Sequence, residues 1–160
     1  MKQLILIRHA AAEPEVYPKL DFDRNLEPSG LAEAEKLGSF IRLQKILPQK
    51  ILTSSAIRTM QTAERIRKIL DLSSEFILPS IQMYNAIISV LKDQIISNGE
   101  PENCIALVAH NPGISQLASF LINGNHIQIP TAGAVCLTFQ IENWAELKPA
   151  SGKSLWYFSP

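Results

Sequence analysis

Apolar residues recur along the chain in two rhythms. Short runs of strand length fall at residues 3–7, 51–53, 75–78, 104–109, 135–141 and 154–158. Between them, apolar positions return at helical spacing. Pro28 suits a first helical position, and Leu31, Ala34, Leu37 and Ile41 follow it, so the spacing predicts a helix ending near Pro48. Ile57, Met60, Ala63, Ile66, Ile69 and Leu70 predict a second helix, with Ser54 and Ser55 placed to cap it. Ile87, Ile88, Leu91 and Ile95 mark a third, closed by Asn98-Gly99, and Ile114, Leu117, Ala118 and Leu121 a fourth. Residues 104–109 are apolar throughout, as a central strand buried on both faces should be. Strands alternating with helices predict an α/β fold: a three-layer α/β/α sandwich around a largely parallel sheet. Residues 8–25 break the rhythm. They are polar and proline-containing, and a loop this long in a compact domain tends to be functional.

Composition narrows the picture. The 160 residues suffice for one well-buried domain spanning 1–160, and apolar residues make up 46% of them against 19% charged. Fifteen basic and fifteen acidic side chains balance, which argues against a nucleic-acid partner or a polybasic membrane surface. No apolar run approaches the ~18 residues of a membrane span. The start resembles a signal peptide, but its apolar stretch stops after Leu4-Ile5-Leu6-Ile7, short of the ~7–15 residues such a leader needs. A cytoplasmic location is the expectation. Cys104 and Cys136 form no CxxC and lie in strand-like runs, so buried free thiols are expected, not a disulfide or zinc site.

Two of the apolar strands end in a histidine. Leu4-Ile5-Leu6-Ile7 runs into Arg8-His9, and Ile105-Ala106-Leu107-Val108-Ala109 runs into His110, after which Asn111-Pro112-Gly113 opens a helix. Ligands of open α/β sheets bind beyond the carboxyl ends of strands, so neighbouring strands ending this way would share one crevice. Alternatively, each histidine is a strand-end residue with a satisfied hydrogen bond. Arg58 falls in the first turn of its helix, where the macrodipole disfavours a cation by a few tenths of a kcal/mol. Either it is an exposed arginine tolerating that penalty, or it shares a bound anion with the helix N-terminus.

These residues carry a resemblance. Arg8-His9-Ala10 resembles the RHG signature of the histidine phosphatase superfamily, the phosphoglycerate-mutase-like fold. The segment Asp21-Phe22-Asp23-Arg24-Asn25-Leu26 before Pro28-Ser29-Gly30 resembles that family's DRPLTxxG element. Ser54-Ser55-Ala56-Ile57-Arg58-Thr59-Met60-Gln61-Thr62-Ala63 resembles its SPxxRAxQTA block, and Val108-Ala109-His110-Asn111 its late histidine block. The four blocks occur in order, and the short chain without large insertions is most similar to SixA-like phosphohistidine phosphatases. The resemblance implies that His9 is the nucleophile taking the phosphoryl group, with Arg8, Arg58 and His110 around its oxygens. Asn111 would join them in binding substrate. It implies no metal and no cofactor, and phosphoryl transfer needs little beyond an in-line nucleophile and charge neutralisation. Cations near His9 should lower its pKa and keep it neutral.

Two departures shape the expectations. Ala10 stands where the family has glycine, which matters only if the backbone there requires a positive φ. Residues 79–85, where many members carry a glutamate proton donor, hold no carboxylate. Glu13 and Asp21 are carboxylates of the first loop, and loop acids of this kind are most often solvated. Asn111 and Thr131 either add hydrogen bonds to the pocket or cap a helix and shape a turn. The implied substrate is a phosphorylated protein carrying phosphohistidine. A small-molecule phosphomonoesterase, a phosphoglycerate mutase and a catalytically silent phosphoprotein-binding module are the alternatives.

Overall fold

The computed structural model describes residues 1–122 and 126–160. Six strands form one sheet: β1 (Lys2–Arg8), β2 (Lys50–Ser54), β3 (Ile77–Ser80), β4 (Cys104–Ala109), β5 (Ala134–Phe139) and β6 (Gly152–Phe158). Their order is β3-β2-β4-β1-β5-β6. The first four in that order are mutually parallel, β5 is antiparallel to β1, and β6 is antiparallel to β5. Four helices, α1 (Pro28–Gln44), α2 (Ile57–Leu70), α3 (Ile88–Asn98) and α4 (Gly113–Leu121), complete the predicted three layers.

The alternation of side chains along a strand builds two cores from one sheet. Leu4 and Leu6 of β1, with Ile105 and Leu107 of β4, pack on the face of α3 and α4. Ile5 and Ile7, with Ala106 and Val108, pack on the face of α1 and α2. Cys104 and Cys136 lie buried as free thiols in this second core. The chain leaving β1 enters a helix on one face, and the chain leaving neighbouring β4 enters a helix on the other. A crevice therefore opens between the carboxyl ends of β1 and β4.

Some local expectations change. α2 is capped at Ala56 with no side-chain cap, because Ser54 is the last residue of β2 and not part of a cap pair. The buried face of its first turns is polar: Arg58, Thr59 and Thr62 are buried there, whereas Ile57 and Met60 are only half-buried. Only from Ala63 onward, with Ile66 and Leu70, does that face become apolar. The polar end points at the crevice. β3 runs through Pro79, where the sequence predicts a stop; β3 is an edge strand, in which a missing ladder donor is tolerated. Among the described residues, no helix is long and apolar enough to cross a membrane.

Candidate active site

Parallel pairing of β1 with β4 sets Arg8 opposite Ala109, so the residues that follow, His9 and His110, emerge side by side. Their rings meet edge to face with centroids 5.2 Å apart. α2 delivers Arg58 between them: its Nε donates to His9 Nε2 at 3.3 Å, and its Nη2 lies 3.2 Å from His110 Nδ1. Arg58 is 3% exposed, so it is not a surface arginine.

The partners fix the tautomers. His9 Nδ1 lies 2.8 Å from the Ala10 carbonyl, which can only accept, so Nδ1 carries the proton. His9 Nε2 is left with a lone pair facing the guanidinium. His110 Nδ1 likewise accepts from Arg58, and its Nε2 donates to Ser54 Oγ at 2.9 Å. Ser54, read from sequence as a helix cap, orients this ring. Both imidazoles are held neutral. Burial is the first cause for each, and it takes His9 down to about 4 with smaller contributions from Arg58, Arg8 and Arg24. His110 falls to about 3 through burial, then the proximity of His9 and Arg58. The expectation that cations would do this to His9 had the direction right and the leading cause wrong: desolvation outweighs charge.

The loop between β1 and α1 closes over the crevice, and its anchors account for the sequence blocks. Ala10 N donates to Thr62 Oγ1, and Leu26 N to Gln61 Oε1, both on α2. Glu27 N donates to the Ala11 carbonyl, and a Cβ on Gly30 would stand 2.0 Å from that same oxygen. Only glycine lets α1 start this close to the loop. Ala10 is fully buried and is not among the residues with positive φ, so the backbone at this position does not require glycine.

The loop brings Asp21 inward. Its Oδ2 accepts from Arg58 Nη2 at 2.9 Å and from the Tyr84 hydroxyl at 2.5 Å, and its Oδ1 from Arg24 Nη1 at 2.7 Å. Its carbonyl accepts from Arg58 Nη1 as well. Burial alone would raise its pKa, but Tyr84, Arg24 and Arg58 together hold it down to about 2. Glu13 instead bonds Lys19 and the Asn25 backbone and stays at the rim. Tyr84, which sequence reasoning passed over, sets its ring edge-on to His110 and under the Arg58 guanidinium. It belongs to the segment that lacks the family's glutamate. Hydroxyls were the overlooked signal.

Arg8 gives one long bond, from Nη1 to the Ile129 carbonyl at 3.3 Å, while its buried Nε has no partner among the described residues. Asn111 donates from Nδ2 to the Ile129 carbonyl, the acceptor that Arg8 Nη1 also uses, and its Oδ1 accepts from Ser115 Oγ. It thus ties α4 to the segment preceding β5. Ala132 N, just past Thr131, closes that segment onto the His9 carbonyl.

An arrangement of one neutral ring nitrogen, two guanidiniums and a second imidazole suits a tetrahedral oxyanion. Comparison with known proteins agrees in kind. Over 98% of its length the fold matches that of the protein histidine phosphatase SixA complexed with tungstate, at a TM-score of 0.82, 19% identity and 96% of that chain. SixA of Agrobacterium tumefaciens matches at a TM-score of 0.84 and 24% identity, over 99% of this chain and 98% of that one. In sequence, an uncharacterized chloroplastic protein of Arabidopsis thaliana is 29% identical over 163 residues, covering 97% of this chain and 74% of its own. Residues 4–77, which hold Arg8, His9, Asp21 and Arg58, match the model of the histidine phosphatase superfamily (branch 1).

Proposed function

We propose that the protein is a phosphatase that works through a phosphohistidine intermediate on His9 and acts on phosphohistidine carried by a protein. The observation that carries this reading is the protonation pattern of His9. With the proton fixed on Nδ1 by the Ala10 carbonyl, Nε2 keeps a lone pair, which accepts a long bond from Arg58 Nε until a phosphoryl group takes over that donor. A neutral imidazole is a competent phosphoryl acceptor, and Arg8, with its unpartnered Nε, and Arg58 neutralise the equatorial oxygens.

Phosphohistidine is preferred over alkyl phosphates because the site supplies no protonated carboxyl. Asp21 is ionised, and Glu13 is tied to the rim. An alkoxide leaving group needs a proton donor worth roughly 10²–10⁴-fold. A protonated phosphohistidine releases a neutral ring and needs none. The match in fold to a protein described as a protein histidine phosphatase points the same way.

The test is a single-turnover reaction with a chromogenic aryl phosphate and with a phosphohistidine-bearing protein. The expected result is turnover of both, an acid-labile and alkali-stable phosphoryl label on His9, and loss of label and turnover in His9→Ala. Turnover retained by His9→Ala overturns the assignment.

A further inference from the structure

The proposed transfer runs between two imidazoles, and the structure builds an N–H acceptor for only one of them from the backbone. On the His9 side, the Ala10 carbonyl holds Nδ1–H, so the charge that develops when Nε2 takes the phosphoryl group is met by a fixed dipole. The leaving ring has the mirror-image requirement. Its phosphorylated nitrogen faces phosphorus, and its other nitrogen carries a proton that needs an acceptor beyond the phosphoryl group.

Asp21 stands where that acceptor is needed. The Arg58 guanidinium has its Nε edge on His9 and its Nη atoms on Asp21 and His110, so the carboxylate lies at the end of the guanidinium away from the bond to His9. A leaving ring in line with His9 Nε2 and beyond the phosphoryl group would meet the carboxylate on that side. Oδ2 is filled by Arg58 and Tyr84, but Oδ1 takes only the Arg24 guanidinium and retains a lone pair. Tyr84 and Arg24 hold the group from two loops, so its position is set before substrate arrives. Burial in part, at 26% side-chain exposure, leaves Asp21 reachable from the mouth.

We infer that Asp21 is a specificity-determining residue: its Oδ1 accepts the ring N–H of the departing imidazole and so selects phosphohistidine over phosphate esters. This rests on the phosphatase reading above. The bonds balance without any further proton donor. The P–N bond to the substrate ring breaks, and its electron pair stays on that nitrogen and neutralises the imidazolium. The new P–N bond to His9 Nε2 leaves the positive charge on the His9 ring, against the Ala10 carbonyl. The proton on the substrate ring remains there, hydrogen-bonded to Asp21 throughout. An ester has no such N–H, and gains nothing from the carboxylate.

The experiment compares kcat/KM for phosphoimidazole, for phosphoimidazole methylated on its second nitrogen, and for an aryl phosphate, in the parent and in Asp21→Asn and Asp21→Ser. The methylated ring is a fixed cation without an N–H. The expected result is a parent that favours phosphoimidazole over the methylated ring by about 10- to 100-fold, the range of a hydrogen bond to a charged group. Both variants should lose that preference while changing little in the ratio of methylated ring to aryl phosphate. Equal loss on all three substrates would make Asp21 a holder of Arg58 and overturn its role in specificity. So would an unchanged preference in the variants. A parent inactive on all three would instead overturn the phosphatase reading, and the two failures are thus distinct.

Discussion

The sheet buries a cation at each of its two ends, and the two are treated in opposite ways. At the amino end of β1, Lys2 is 2% exposed, and its ammonium donates to Glu100 Oε2 and to the carbonyls of Pro101 and Glu102. The ammonium also lies over the Trp144 ring, 5.6 Å from its centroid, and the indole N–H bonds the Glu102 carbonyl. Every donor is met by oxygen. At the carboxyl end, Arg8 Nε has no partner among the described residues, and Arg58 shares its donors between Asp21 and two ring nitrogens that are poor substitutes for anions. A buried donor left short of acceptors is destabilising, and it is also what a bound oxyanion would satisfy. One end is finished by the chain. The other is left for a ligand to finish.

Removing the two cations in turn breaks this contrast most sharply. Arg58→Ala should lower kcat on an aryl phosphate by about 10²–10³-fold, the effect of removing one pre-set donor from a transition-state oxyanion. It should also lower the melting temperature, because Asp21 and the two ring nitrogens lose their shared donor.

Acid separates the ends next. Both active-site rings titrate below the ordinary histidine value of about 6.5, so the unfolded chain takes up protons first as pH falls. Their contribution to stability is fully present above that value and is lost as pH falls toward about 4 for His9 and about 3 for His110. Urea titrations from pH 7 to 4 should therefore show a loss on the order of a few kcal/mol. The slope should flatten in His9→Ala and change far less in Lys2→Met, where the Glu100 carboxyl alone loses the ammonium that holds it down.

Lys2→Met keeps an unbranched apolar side chain but removes the ammonium and its contact with Trp144. It should destabilise the fold by about 1–3 kcal/mol, the range for buried acceptors losing their donor. Its kcat/KM should remain within about twofold of the parent, because the crevice lies at the other end of the sheet. The smallest expected effect is that of a chelator. Arg8 and Arg58 take the place of a metal ion in the proposed chemistry, so EDTA should leave turnover unchanged.

The blocks around Arg8, His9, Arg58 and His110 were legible because each ends or starts a regular element, where local pattern and position coincide. The continuous apolar runs of β1 and β4 announce two-sided burial, and their pairing follows from the α/β alternation. The loop after β1 was opaque for a physical reason. Its shape is set by bonds that skip far along the chain, from Ala10 to Thr62 and from Leu26 to Gln61. Nothing in residues 8–25 says that Asp21 turns inward and Glu13 outward. Ser54 misled because one residue can end a strand and neighbour a helix start. Asn111 was named for its adjacency to His110, and its bonds to Ser115 and to the Ile129 carbonyl it shares with Arg8 were not legible in the sequence. The polar face of α2 looked apolar at Ile57 and Met60 because periodicity cannot tell which stripe meets a crevice.

Cys104 and Cys136 carry a consequence for redox life. Burial pushes both thiols up to about 12, so their thiolate fraction at neutral pH is on the order of 10⁻⁵, and neither lies at the crevice. Phosphatases that attack through a cysteine need an exposed thiolate and are silenced when peroxide converts it to a sulfenic acid. In this protein the attacking atom assigned is a ring nitrogen, and the sulfur of both cysteines is sealed in the layer between the sheet and α1 and α2. Turnover by the proposed histidine chemistry should therefore continue through an oxidative burst that stops thiol-dependent phosphatases.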